Sequence, residues 1–163
     1  LYVDQVWLSE RYEDKIAFLD THHAPDFLFP QAADVHKLFC YNAVSDSRVA
    51  VPFAHVLAAG VPCVNKTNLS STASNYKTCI ADGSGATGEG FQSVLNYVKA
   101  NRPVYVILEN LSVLCVTHDD SPAEIDFIVK SLERYGYWVD YSVLNARDFG
   151  SYCEKRESLH HRV

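Results

Sequence analysis

Apolar and polar positions change period several times along the chain, from strand-like to helix-like and back, which predicts α/β layers. Val3 to Leu8 reads as a strand, and Ser9 is placed to cap a helix through Leu19 with Tyr12, Ile16 and Leu19 on one face. Asp26 to Phe29 reads as a short strand stopped by Pro30. Phe53 to Ala59 is a continuous run of mostly small apolar residues, the pattern of a strand covered on both faces. From Gly60 to Gly90 the periodicity breaks, and Asn65 to Asn75 is nearly all polar and small. A loop that long inside a compact domain is usually functional or disordered. Phe91, Val94, Leu95 and Val98 then restore helical spacing, and Pro103 opens a strand over Val104 to Leu108. Ser121-Pro-Ala-Glu124 reads as a capping box with proline at the first helical position. Ile125, Ile128, Val129 and Leu132 would form that helix's buried face, Gly136 its left-handed C-terminal residue, and Tyr137 to Leu144 a further strand. The order predicts a doubly wound sheet in a single domain over residues 1–163, with no internal repeat and no linker. Ligands of such sheets bind beyond the carboxyl ends of the strands. That directs attention to Glu10, the Asp34 region, Cys63 and Glu109.

The composition is ordinary for a globular domain, at 163 residues with 48% hydrophobic and 21% charged. No apolar run approaches the roughly 18 residues of a membrane span, and nothing at the N-terminus reads as a signal peptide. The methionine count is 0, which suggests a piece of a longer chain. The net charge is −6, without the basic patch that a protein gripping nucleic acid unaided usually carries. Cys40, Cys63, Cys79, Cys115 and Cys153 are odd in number and lack C-x-x-C spacing, so neither a disulfide framework nor a zinc site is supported. The sequons at Asn65, Asn68 and Asn110 read as chance, and a reducing intracellular compartment is the expectation.

Two strand ends carry candidate chemistry. Gly60-Val-Pro-Cys63 would present a thiol at the ligand edge, and a thiolate is a strong nucleophile. A lone cysteine is more often a small buried hydrophobe. Glu109 follows an apolar strand, where a carboxylate is costly unless it serves something, and burial would favour its acid form. It could equally cap a helix or pair with a base. Gly83-Ser-Gly-Ala-Thr-Gly88 is a literal G-x-G-x-x-G but follows a polar loop instead of a strand, so it reads as a hinge at a helix start. His22-His23 and His160-His161 read as solvated surface, and Tyr135, Tyr137, Trp138 and Tyr141 as sheet packing.

Taken together, these segments resemble the cytosine C5 methyltransferases. Gly60-Val-Pro-Cys63 is similar to their Pro-Cys motif, and Arg102-Pro103 with Val106-Ile-Leu-Glu-Asn-Leu111 to their Glu-Asn motif. The polar loop matches their mobile catalytic loop in position and length. Trp7-Leu-Ser-Glu10 resembles the segment whose acid holds the ribose of S-adenosylmethionine, and Ala33-Asp34-Val35 the one that holds its adenine. Asp148-Phe-Gly150 and Arg156-Glu-Ser158 resemble the segment leading to the family's Pro-Gln-x-Arg-x-Arg motif.

The resemblance implies a Rossmann-like sheet lacking its first strand, with S-adenosyl-L-methionine as cofactor and a flipped cytosine in DNA as substrate. It implies Cys63 as nucleophile on C6, Glu109 as the acid at N3, Asn110 holding the loop and Arg156 orienting the base. Glu10, Arg11, Asp34, Val35 and Pro62 would bind the cofactor, and no metal is implied. The family's F-x-G-x-G turn is absent, Val64 stands where glutamine usually follows the cysteine, and Tyr152-Cys-Glu154 replaces Pro-Gln. The expectation is a partial catalytic domain, cut before Leu1 and after Val163, with little activity of its own. It would be nuclear in a eukaryotic cell. Three alternatives stay open: a diverged domain used for binding or assembly, an RNA cytosine methyltransferase, and an unrelated α/β thiol enzyme using His55 or His118 as base.

Overall fold

A computed structural model describes residues 4–31, 35, 37, 39–61, 79–110, 112–117 and 123–150. It is a mixed α/β structure of two compact units, residues 1–110 and 111–163.

In the first unit, β1 (Leu8–Ser9) runs parallel to β2 (Leu28–Phe29), joined by α1 (Glu13–His23). The helix begins later than Ser9, because Ser9 is in the ladder and its hydroxyl donates to the Phe29 carbonyl at 2.9 Å. Glu13 and Asp14 lie in its first turn and His22 and His23 in its last, as the helix dipole favours. Ile16 and Leu19 are half-buried, Tyr12 is exposed, and His22 and His23 are solvent-facing.

A hairpin follows that the periodicity does not announce. β3 (Cys40–Asn42) pairs antiparallel with β4 (Ser47–Val49). Its turn places Asp46 at φ 47°, a left-handed conformation tolerated by aspartate, and the Tyr41 hydroxyl donates to the Asp46 carboxylate at 2.8 Å.

The second parallel pair is β5 (Val56–Gly60) with β6 (Tyr105–Glu109), bridged by α2 (Cys79–Asp82) and α3 (Gly85–Asn101). α3 buries Phe91, Leu95, Tyr97 and Val98, with Val94 only half-buried. Within the G-x-G-x-x-G segment, Gly83 and Ser84 form the turn between α2 and α3, with Gly83 at φ +67°, and Gly85 to Gly88 begin α3. A side chain at Gly83 would also crowd Gln92, whose amide donates back to the Ile80 carbonyl at 2.8 Å. The glycines thus serve a helix–helix turn, as their polar surroundings suggested. β5 is not covered on both faces: Leu57 is buried, but Val56 and Ala58 are exposed. On β6, Tyr105 is 66% and Ile107 59% exposed.

The two parallel pairs are separate ladders among the described residues. Between them, Trp7 packs edge-to-face on Phe29 of β2 at 6.1 Å and on Tyr97 of α3 at 5.2 Å. Leu28, Phe29, Ile80, Phe91, Tyr97 and Val98 are the deepest apolar core side chains described in this unit, each within 1% of full burial.

The second unit has a 3-10 turn (Ser112–Cys115), α4 (Glu124–Arg134) and a second 3-10 turn (Ala146–Phe149). α4 begins at Glu124 with Ala123 at its N-cap, so the capping-box start is shifted; Ser121 lies outside the described residues. Its C-terminus follows the glycine expectation. Gly136 adopts φ +87°, the Tyr137 N–H bonds the Leu132 carbonyl and the Gly136 N–H bonds the Glu133 carbonyl, a Schellman closure. Ile128 and Leu132 are buried on its face, whereas Ile125 and Val129 are intermediate. Tyr137 to Leu144 forms no ladder among the described residues. Trp138 is 89% exposed and Tyr141 is also exposed, so these aromatics do not pack on a sheet. A strand needs a neighbour to satisfy its backbone, and no described segment pairs with this one.

Candidate functional site

The strongest constellation lies where β5 and β6 end. The ladder runs in register from Val56 opposite Tyr105 to Gly60 opposite Glu109. Because the strands are parallel, both chains leave the sheet at the same edge, about 4.8 Å apart. The Glu109 carboxylate leans across Gly60: a Cβ built on that glycine would lie 3.3 Å from Oε2. The next residue, Asn110, donates from Nδ2 to the Val61 carbonyl at 3.4 Å. That bond ties the residue after β6 to the residue after β5. Val61 is buried at this junction.

Glu109 is exposed, which corrects the expectation of a desolvated carboxyl. β6 presents its alternate residues to solvent, and Glu109 falls on that side. Cys63 follows Gly60 by three positions in the sequence; it and Pro62 lie outside the described residues, as do the polar loop from Asn65 to Asn75, Asp34 and Arg156.

A second constellation forms at the end of β1. The Glu10 backbone N–H bonds the Phe29 carbonyl at 3.2 Å, which anchors Glu10 to the β1–β2 ladder. Its Oε1 accepts from the N–H groups of Arg11 at 2.8 Å and Tyr12 at 3.1 Å. The Lys15 ammonium lies 3.8 Å from Oε2. An open cavity of about 430 Å³ is lined by Glu10, Asp14, Lys15, Phe18 and Leu19. The Arg11 guanidinium is turned to Tyr12, donating to its hydroxyl at 3.0 Å and lying 4.9 Å from its ring centre. Val35 is buried.

The structure thus brings Glu109 and Asn110 to the Gly60–Val61 strand end, and separately anchors Glu10. His55, one of the two bases of the thiol-enzyme alternative, precedes β5, at the opposite end of the strand from Gly60. His118 lies outside the described residues. Cys40 is buried and Cys115 half-buried, and burial, with a smaller effect of Asp126, pushes the Cys115 thiol above its ordinary value. Among the described residues no three His, Cys, Asp or Glu side chains are grouped as a metal site, and no helix is long and apolar enough to cross a membrane. Sequence reasoning missed Asn42, a buried amide whose signal, an asparagine between apolar strand residues and a Ser-Asp-Ser turn, is weak.

The family model for C-5 cytosine-specific DNA methylase matches residues 41–157. That span includes Cys63, Glu109, Asn110 and Arg156, while Glu10, Arg11, Asp34 and Val35 precede it. The chain is 34% identical over 110 residues to type II methyltransferase M.Bsp6I of Bacillus sp., covering 68% of this chain and 32% of that protein. It is 27% identical over 150 residues to the DNA (cytosine-5-)-methyltransferase DMT5 of Cryptococcus neoformans, covering 91% of this chain and 6% of that protein. It is also 34% identical over 106 residues to type II methyltransferase M.NlaIV of Neisseria lactamica, covering 61% and 23% respectively. The chain therefore spans about a third or less of the length of these curated relatives.

Proposed function

Because this chain belongs to the C-5 cytosine-specific DNA methylase family, we propose that it supplies part of a catalytic domain transferring a methyl group from S-adenosylmethionine to C5 of cytosine in DNA. The observation that carries the reading is the register of Gly60 with Glu109, reinforced by the Asn110 bond to the Val61 carbonyl. An acid and the backbone leading to a cysteine leave the sheet side by side. In this reading β1–β2 and β5–β6 are parts of one doubly wound, Rossmann-like sheet.

C5 of cytosine is a poor nucleophile. The Cys63 thiolate adds to C6, and the electron pair moves through the ring toward N3. Glu109 as an acid hydrogen-bonds N3 and stabilises the charge developing there. The flipped base covers the carboxyl and displaces water from it. Asn110 holds the Val61 carbonyl and so the start of the segment bearing Pro62 and Cys63. Arg156 orients the base. Once C5 carries the methyl group taken from the sulfonium, loss of the C5 proton to solvent and elimination of the Cys63 thiolate from C6 restore the aromatic ring.

The residues at the end of β1 suit the adenosine end of the cofactor. Glu10 Oε1 is held by two backbone N–H groups, which leaves Oε2 to accept from a ribose diol. Arg11, Asp34, Val35 and Pro62 complete that set. When bound, S-adenosylmethionine supplies an electrophilic methyl group on a sulfonium.

Covalent trapping tests the reading. The intact protein is incubated with cofactor and a duplex carrying 5-fluorocytosine, which blocks loss of the group at C5. The expected product is a denaturation-resistant adduct that disappears in Cys63→Ala. An adduct that survives that substitution would overturn the nucleophile, and no adduct with the unaltered protein would overturn the reaction.

A further inference from the structure

We propose that Asn42, in the hairpin after β2, is a positioning residue for the adenosine end of the cofactor site and acts on Glu10 through the backbone of β2. The inference rests on the reading of Glu10 given above. Asn42 is 1% exposed. Its Oδ1 accepts from the Leu28 N–H at 2.8 Å and the Val44 N–H at 3.2 Å. Its Nδ2 donates to the Asp26 carbonyl at 3.1 Å and the Ser45 hydroxyl at 3.0 Å. Both lone pairs and both protons of the amide are therefore used.

Two of those bonds go to the β2 segment, on the edge that faces away from β1. The Ala43 N–H adds a third there, to the Leu28 carbonyl at 2.8 Å. The Asn42 side chain thus stands in for a neighbouring strand on an edge that would otherwise be open. The next residue along β2 is Phe29, whose carbonyl receives the Glu10 N–H and the Ser9 hydroxyl. The path from Asn42 to Glu10 is then two backbone links, Leu28 and Phe29, both fully buried. Tyr41 and Val44, which flank Asn42 and Ala43, are about half exposed, so Asn42 is the buried side chain of this turn. An apolar replacement would leave the Leu28 N–H and the Asp26 carbonyl without partners. The carboxylates nearest in sequence on the elements around it are Asp26, before β2, and Asp46, which accepts from Tyr41.

The test measures binding of S-adenosylhomocysteine by calorimetry, together with kcat at saturating cofactor, on the intact protein. Asn42→Ala is expected to weaken binding about tenfold, with kcat changed less than about threefold, since one buried polar contact is worth roughly that much. Asn42→Asp keeps the acceptor for Leu28 but, when ionised, cannot donate to the Asp26 carbonyl. Relative to wild type, its affinity should recover as the pH falls from about 8 to about 6, where a buried carboxyl gains a proton. Wild-type affinity in Asn42→Ala, kcat loss without a change in affinity, or a pH-independent loss in Asn42→Asp would each overturn the proposal. If Asn42→Ala does not fold, the pH response of Asn42→Asp decides. Glu10→Gln separates the two readings. Unchanged affinity there overturns the Glu10 assignment, whereas weakened affinity there beside a normal Asn42→Ala overturns the role of Asn42 alone.

Discussion

Gly60→Ala should separate catalysis from folding. Gly60 lies in β5 without a positive φ, so alanine is conformationally acceptable there, and removing glycine from the unfolded chain favours folding by about 0.4–1 kcal/mol. The added Cβ would meet Glu109 Oε2 at 3.3 Å, tighter than an ordinary van der Waals contact. The atom it meets is the tip of an exposed, flexible side chain, so relief comes by swinging the carboxyl away at little cost to the fold. Function is less tolerant, because a displacement on the order of 1 Å at a reacting group costs about a hundredfold in rate. The expected result is a melting temperature equal to or slightly above wild type, with methylation reduced ten- to a hundredfold, about 1.4–2.7 kcal/mol of barrier. Gly60→Val should deepen the loss. Melting curves and initial rates on a cytosine-containing duplex read both quantities on the same preparation. Full activity in Gly60→Ala and Gly60→Val would refute the placement of the Glu109 carboxyl in the reacting geometry. A drop in melting temperature matching the activity loss would refute the claim that the carboxyl yields freely.

Three further outcomes follow from other residues. Asn110→Asp turns a donor to the Val61 carbonyl into an acceptor, so turnover should fall at least tenfold with a stability loss of about 1 kcal/mol; rates and melts on one sample check this. Phe91→Ala empties a buried ring site in α3 and should destabilise by about 3–5 kcal/mol, read by urea denaturation. Burial raises the Tyr97 phenol, so the folded state favours its neutral form. That contribution is intact below about pH 10, the ordinary phenol value, and is lost as pH rises through the raised value. Tyr97→Phe should flatten the fall in melting temperature above about pH 10, and an unchanged slope would refute it.

What the sequence determined by itself is the local part of this protein. The apolar run before Gly60, the one before Glu109 and the glycine closing α4 at Gly136 are each legible because strand period and left-handed glycine conformation are properties of short segments. The context of Gly83 to Gly88, polar and without a preceding strand, likewise marked a helix start instead of a phosphate cradle. The motif spacing around Cys63 and Glu109 pointed to the family before any coordinate did. Tertiary structure decided the pairings and the exposure. No periodicity says that Gly60 faces Glu109, that Asn110 reaches the Val61 carbonyl, or that Asn42 closes the edge of β2, since each depends on a partner 14 to 49 residues away. Exposure has the same origin: Glu109 and Trp138 looked buried from their apolar neighbours, but burial is set by what packs against a face. Tyr137 to Leu144 reads as a strand by its own sequence, and it pairs with no described segment, because backbone hydrogen bonding requires a second strand that its own residues cannot provide.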